Sequence, residues 1–189
     1  MNSGLLVLTS VLAFGFCVSS RGQGIFAFNN SPARPVYDSE GKPLNDPFYW
    51  VELYGGASGS ALSPGIDWVN GSRDMLPVVS GLFDAGKAVM IVDAPNGLAW
   101  LQVRAWDSRL GATYEDVSVL NIGGYGESNV FEQQGKLPWD VLQPPAVLRG
   151  LQSFSVRAVV PEPGTVSLLL LGLTGLGLWR WHGKKRSRT

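Results

Sequence analysis

Cysteine and histidine are almost missing from this chain. Of its 189 residues, one is cysteine and one is histidine. Cys17 sits inside an apolar run near the start, and His182 sits among basic residues past position 180. Residues 25–160 therefore contain neither type. That excludes a disulfide framework, a thiol nucleophile, a Ser–His or Cys–His dyad and a His/Cys zinc site from the middle of the chain. The glycine-rich phosphate-binding patterns and the Gly-x-Ser-x-Gly elbow are also absent there. An excess of either charge is lacking: 15 Lys+Arg face 15 Asp+Glu, and the pI is about 6.6. A nucleic-acid binder would concentrate basic residues on one face, so no nucleic-acid partner is expected.

What the chain does have is grease at both ends. Residues 5–18 (LLVLTSVLAFGFCV) are apolar apart from Thr9, Ser10 and Gly15. The run is short of the ~20 residues a bilayer span needs. It matches the core of a secretory signal, with small residues placed for cleavage after Ser20 or after Gly22. A signal peptide over residues 1–22 is the expectation, implying Sec machinery and a signal peptidase as partners. Phe16 before Cys17 disfavours lipidation.

At the other end, residues 164–179 (GTVSLLLLGLTGLGLW) precede Arg180, Lys184, Lys185, Arg186 and Arg188. Residues 165–181 are predicted to form a single transmembrane helix, at the lower edge of bilayer-spanning length. Trp179 and Trp181 suit the interface, and the basic tail stays cytoplasmic by the positive-inside rule. Immediately before it stands Pro161-Glu162-Pro163, whose two prolines forbid helix and central strand and keep the backbone extended.

Pro161, Glu162, Pro163, the Leu-rich run and the basic tail Arg180–Arg188, taken in that order, resemble the PEP-CTERM sorting signal of Gram-negative bacteria. Trp181, His182 and Gly183 interrupt the arginine-rich tail usual in that family. The resemblance implies that a membrane protease of the exosortase type recognises Pro161, Glu162 and Pro163. It implies cleavage near them and passage of the body to the cell surface or extracellular matrix from a precursor held transiently in the inner membrane. Residues 51–56, 101–107 and 150–154 are similar to exported PEP-CTERM proteins of one recurring type, for which no activity is implied. The sorting signal is thus placed at residues 161–189 and the exported body at residues 23–160.

The body reads as all-β. Ten prolines and fifteen glycines punctuate residues 25–160, and no window of helical period survives between them. Strand-like runs recur at residues 25–28, 48–54, 88–92, 98–106 and 152–160. Leu101, Val103 and Ala105 alternate with Gln102 and Arg104, with Trp100 and Trp106 on the polar-bearing face. Tyr49, Val51 and Leu53 alternate with Trp50, Glu52 and Tyr54, and Phe154, Val156, Ala158 and Val160 with Ser153, Ser155 and Arg157. Turns are expected at residues 38–41, at Gly55-Gly56, at residues 95–97 and at residues 108–111. An antiparallel β-sandwich or jelly-roll of seven to nine strands follows.

Chemistry is sparse in this body. It carries nine Lys/Arg and fourteen Asp/Glu, a net charge of −5. Glu115, Asp116, Glu127 and Glu132 are acids of the kind a glycosidase pairs, but acidic loops are ordinarily solvated. Asp38/Glu40 and Asp93/Asn96 offer calcium-type oxygens in turns, where such residues ordinarily cap the turn itself. Neither a metal nor another cofactor is expected, and no catalytic residue is assigned. Trp100 and Trp106, six apart on one strand, project from one face and are the candidate glycan contacts. The function expected is a non-enzymatic cell-surface or matrix protein. The alternative is a carbohydrate-binding module for exopolysaccharide.

Overall fold

The computed structural model describes residues 22–30 and 34–160. The predicted signal peptide apart from Gly22, the Pro161-Glu162-Pro163 motif, the predicted span 165–181 and the basic tail lie outside the described residues. Among the described residues, no helix is long and apolar enough to cross a membrane.

The body is predominantly β. Its strands in chain order are β1 (Gly24–Asn29), β2 (Val36–Tyr37), β3 (Tyr49–Ser58), β4 (Ala61–Pro64), β5 (Ile66–Asp67) and β6 (Met75–Pro77). They continue as β7 (Asp84–Ile91), β8 (Leu98–Asp107), β9 (Tyr125–Glu127), β10 (Phe131–Gln134), β11 (Ala146–Val147) and β12 (Phe154–Ser155), with a 3-10 turn (Pro95–Gly97) before β8 and an α-helix, α1 (Tyr114–Leu120), before β9. Two larger sheets form, neither closed on itself. One has the order β11-β1-β7-β5. The other runs β10-β8-β3-β4, with β6 also on β3 and β9 also on β8. A small parallel pair, β12-β2, completes the set.

The long β3–β8 ladder is the backbone of the second sheet, in register from Tyr49↔Asp107 to Gly56↔Trp100. The alternation read from both strands holds: Tyr49, Val51, Leu53, Leu101, Val103 and Ala105 enter one buried cluster. The first sheet supplies Phe26, Phe28, Val89 and Ile91 to that cluster. Phe28 and Phe83 meet there with ring centroids 4.9 Å apart. The dyad period of each strand thus delivers apolar side chains from both sheets to a common interior.

The described residues form twelve strands, several of only two or three residues, where seven to nine were expected, and the β1–β11 and β12–β2 pairings are parallel. Three further expectations need correction. Gly55-Gly56 is not a turn but part of β3. A Cβ on Gly55 would come within 2.8 Å of Ile91, and one on Gly56 within 2.3 Å of the Ala61 carbonyl oxygen. Glycine is needed there so that neighbouring chain can approach closely, and the register shifts between Gly55 and Ser58 as β3 bends toward β4. Residues 152–160 form a strand only at Phe154–Ser155. Phe154 and Val156 are buried, but Ala158 and Val160 are exposed. The third correction is α1, where no helix was expected. Thr113 accepts from the Asp116 amide at 3.2 Å while Asp116 accepts from the Thr113 amide at 3.0 Å, a reciprocal cap. Asn121, at φ 53°, ends the helix.

The two ends of the described body lie far apart. Gly22 accepts from the Ala94 amide beside the turn that feeds the start of β8. The exit lies at the other end of that strand. Asp107 donates to Gly124, Gly124 to Arg157, and Val160 to Ile122 at 2.7 Å. β8 has ten residues, so entry and exit are separated by about 30 Å along the strand axis.

Candidate functional site

Strands β3 and β8 turn their second face away from the common core, and this face holds the densest polar chemistry among the described residues. Glu52 is completely buried. Arg73 meets its carboxylate with two nitrogens, Nε at 2.7 Å from Oε1 and Nη2 against Oε2. Nη2 also donates to the Tyr54 hydroxyl at 3.0 Å, and that hydroxyl donates to Glu115 Oε1 at 2.7 Å. Arg104 lies over the Tyr54 ring, 4.1 Å from its centroid, and donates to Gln102 at 2.9 Å. The Tyr114 hydroxyl donates to Glu127 at 3.2 Å. Beneath these groups, Trp106, Tyr54, Tyr114, Val117 and Tyr125 form a second apolar cluster, with α1 as its cover.

The electrostatics fit a brace. Burial, the hydrogen bond to Glu115 and the nearby Glu52 charge raise the Tyr54 hydroxyl well above its usual range. Burial and the Glu127 charge push Tyr114 up to about 12. Burial works against the Glu115 charge. The Tyr54 hydrogen bond, the local backbone and the charges of Arg73 and Arg104 outweigh it, and the carboxyl lies below its usual range. Each of these groups keeps its ordinary charge at neutral pH, so none of the three is poised to exchange a proton there.

Two further clusters are built similarly. Lys87 bridges the buried Asp67 and Asp74 at 2.5 and 3.0 Å. Arg109 pairs with the buried Asp107 at 2.6 Å and reaches Asp46 at 2.9 Å. Burial raises Asp107, but the Arg109 hydrogen bonds and charge prevail and hold it below its usual value. The lowered folded-state values of Asp107 and Glu115 stabilise the fold above the carboxylates' unfolded pKa, near 4, and that stability is lost as pH falls through the folded values. Acid unfolding followed by circular dichroism is therefore expected to steepen below about pH 4. Asp107→Asn should flatten that profile; an unchanged profile would remove Asp107 from the account.

The residues singled out from sequence are scattered by the fold. Trp106 is 0 % exposed and offers no ring face to a sugar. This corrects its candidacy as a glycan contact. Trp100 is half-buried at the opposite end of β8, where a Cβ on Gly59 would come within 3.2 Å of its ring. Glu115 is tied to Tyr54 and Asp116 to the helix cap, so this acidic pair braces and caps α1. Asp38 accepts from the Glu40 and Lys42 amides at 2.8 and 2.9 Å, the Asx-turn use of such a residue. Among the described residues, no three or more His, Cys, Asp or Glu side chains gather as they would around a metal ion.

The sorting segment is reached directly from folded backbone. Val156 donates to Tyr37, Arg157 to Tyr125 and Val160 to Ile122. Pro161 follows with no intervening linker. Neither a curated protein nor a solved structure matches the chain. Residues 159–186, however, match the family model of the PEP-CTERM protein-sorting motif, which implies an exported, transiently membrane-anchored protein that is processed by an exosortase, itself a membrane protein. The match begins at the last two described residues and runs into the basic tail, so the chain carries a PEP-CTERM protein-sorting motif over residues 159–186.

Proposed function

We propose that this chain is a non-enzymatic cell-surface or matrix protein whose body is a two-layer β-sandwich. A signal peptide over residues 1–22 exports it through the Sec machinery. Residues 165–181 hold the precursor in the inner membrane by a single helix, with Arg180, Lys184, Lys185, Arg186 and Arg188 on the cytoplasmic side. Exosortase-type cleavage then frees the body. The sandwich is supported by the interior shared between the two larger sheets, where Ile91 of β7 packs on Gly55 of β3.

One observation carries the processing reading: the sorting match opens at residue 159, at the end of the described body, where Val160 still donates to Ile122. Among the described residues the buried core ends at Val156, so cleavage at or beyond Pro161 leaves that core whole. Glu162→Ala should leave export intact and leave residues 164–189 attached. The check is intact mass of the protein recovered from its host. A Glu162→Ala product with the same mass as the parent's mature body would defeat the reading.

A further inference from the structure

Nearly every cation of the body has a partner. Lys42 pairs with Glu40, Arg73 with Glu52, Lys87 with Asp67 and Asp74, and Arg109 with Asp107 and Asp46. Arg34 donates to the Leu148 carbonyl, Arg104 to Gln102 and Arg157 to Tyr125. Lys136 and Arg149 are the exceptions: among the described residues neither side chain has a hydrogen-bond or ion-pair partner. Both line the same cavity, about 570 Å³ in volume, and no acid lines it. A body with net charge −5 thus contains one concavity whose charged lining is two unneutralised cations.

The placement is built by the fold. Gln133 of β10 donates to the Val147 carbonyl and accepts from the Arg149 amide, both at 2.7 Å, which clamps β11 and the turn after it onto β10. Lys136 is pinned through its backbone, which exchanges hydrogen bonds with Ile25 at 2.8 and 3.0 Å. The two cations are therefore fixed at their Cα atoms and free at their tips. Around them lie Gln134, Gln143 and the ring of Pro144. Gln134 spends its amide nitrogen on Asn96 and Gly135, leaving its oxygen as an acceptor. Gln143 has no hydrogen bond to another described residue. The loop between Lys136 and Gln143 also presents Trp139, which is 73 % exposed. Its one acid, Asp140, accepts from the Leu142 amide and does not line the cavity.

We propose that this cavity binds an acidic polysaccharide through a carboxylated sugar unit. The cations take the carboxylate, charge-assisted contacts being the stronger hydrogen bonds. Amides that donate and accept suit hydroxyls, and the prolyl ring suits the C–H face of a pyranose. The volume falls within the ~300–1,000 Å³ typical of small-ligand sites. The cavity lies at the entry end of β8, since Gln134 pairs with Leu98 and Lys136 with Ile25, and so faces away from the exit that leads to the sorting motif. The residues are distinct from Trp100 and Trp106, and the site does not depend on processing.

The test is affinity electrophoresis of the full chain in nonionic micelles, through gels containing polygalacturonate, dextran or poly-L-glutamate. Retardation by polygalacturonate alone is expected. Lys136→Gln and Arg149→Gln should each weaken it about tenfold, the effect of one lost charge-assisted hydrogen bond, and the double variant should migrate freely. Lys42→Gln, at a cation already paired, should change nothing. A parent chain that polygalacturonate does not retard overturns the proposal, as does a double variant retarded like the parent. Equal retardation by dextran or by poly-L-glutamate also overturns it, since the ligand would then not be an acidic sugar. None of these results bears on the Glu162→Ala mass.

Discussion

Arg73→Met should destabilise the body by about 3–5 kcal/mol, because it leaves the Glu52 carboxylate buried without its counter-charge. Glu52 is wholly enclosed between β3, β6 and β8, and Arg73 supplies both of its side-chain partners. Arg73 also donates to Tyr54, so the hydroxyl that holds Glu115 loses a neighbour at the same time. The expected sign differs for the pair. Replacing both residues by apolar ones of similar volume, Glu52→Leu with Arg73→Met, should recover most of the loss, since a desolvated ion pair gains little over good packing. Urea unfolding of the single and double variants measures this directly. A double variant as unstable as Arg73→Met alone would mean the pair stabilises the fold by more than mutual compensation.

Trp106→Ala has the other large expected effect, also about 3–5 kcal/mol, from the cavity left under α1. The ring is completely buried in the cluster through which Tyr114 and Val117 of α1 meet Tyr54 of β3 and Tyr125 of β9. A fall in Tm on the order of 10–20 °C follows for a body of this size. Trp106→Phe should cost clearly less. The indole Nε1 is buried with no hydrogen-bond partner among the described residues, so phenylalanine removes an unsatisfied donor while keeping most of the apolar surface. If thermal unfolding showed alanine tolerated, the second cluster would not be what holds α1 in place.

The strands that read clearly from sequence are those whose partners are long. β8 and β3 alternate cleanly because one face of each meets the shared interior along its length. Gly55-Gly56 misleads because a glycine pair looks the same from sequence whether it turns or admits a neighbour; the neighbour is Ile91, thirty-six positions on in the case of Gly55. α1 escapes detection for a different reason. Seven residues are too few for a helical period, and its start is marked only by Thr113 and Asp116. The sorting motif is legible because all its parts are contiguous, and the family match rests on the same residues. The Lys136–Arg149 cavity is not legible at all. A spacing of thirteen residues has no period of its own, and only the Gln133 clamp brings the two together.

The opposed ends of β8 also bear on how the body would take a pull. Tension applied between the Gly22 end and Val160 runs along the strands. The ladder bonds of an antiparallel sheet stand perpendicular to its strands, so the β1–β7 register that receives the load from Gly22, running from Gly24 to Asn29, would be stressed all at once, in shear, instead of opening one bond at a time like a zip. A body pulled between these two ends is thus oriented to resist stretching, with its first strand held along the line of force by the ladder to β7.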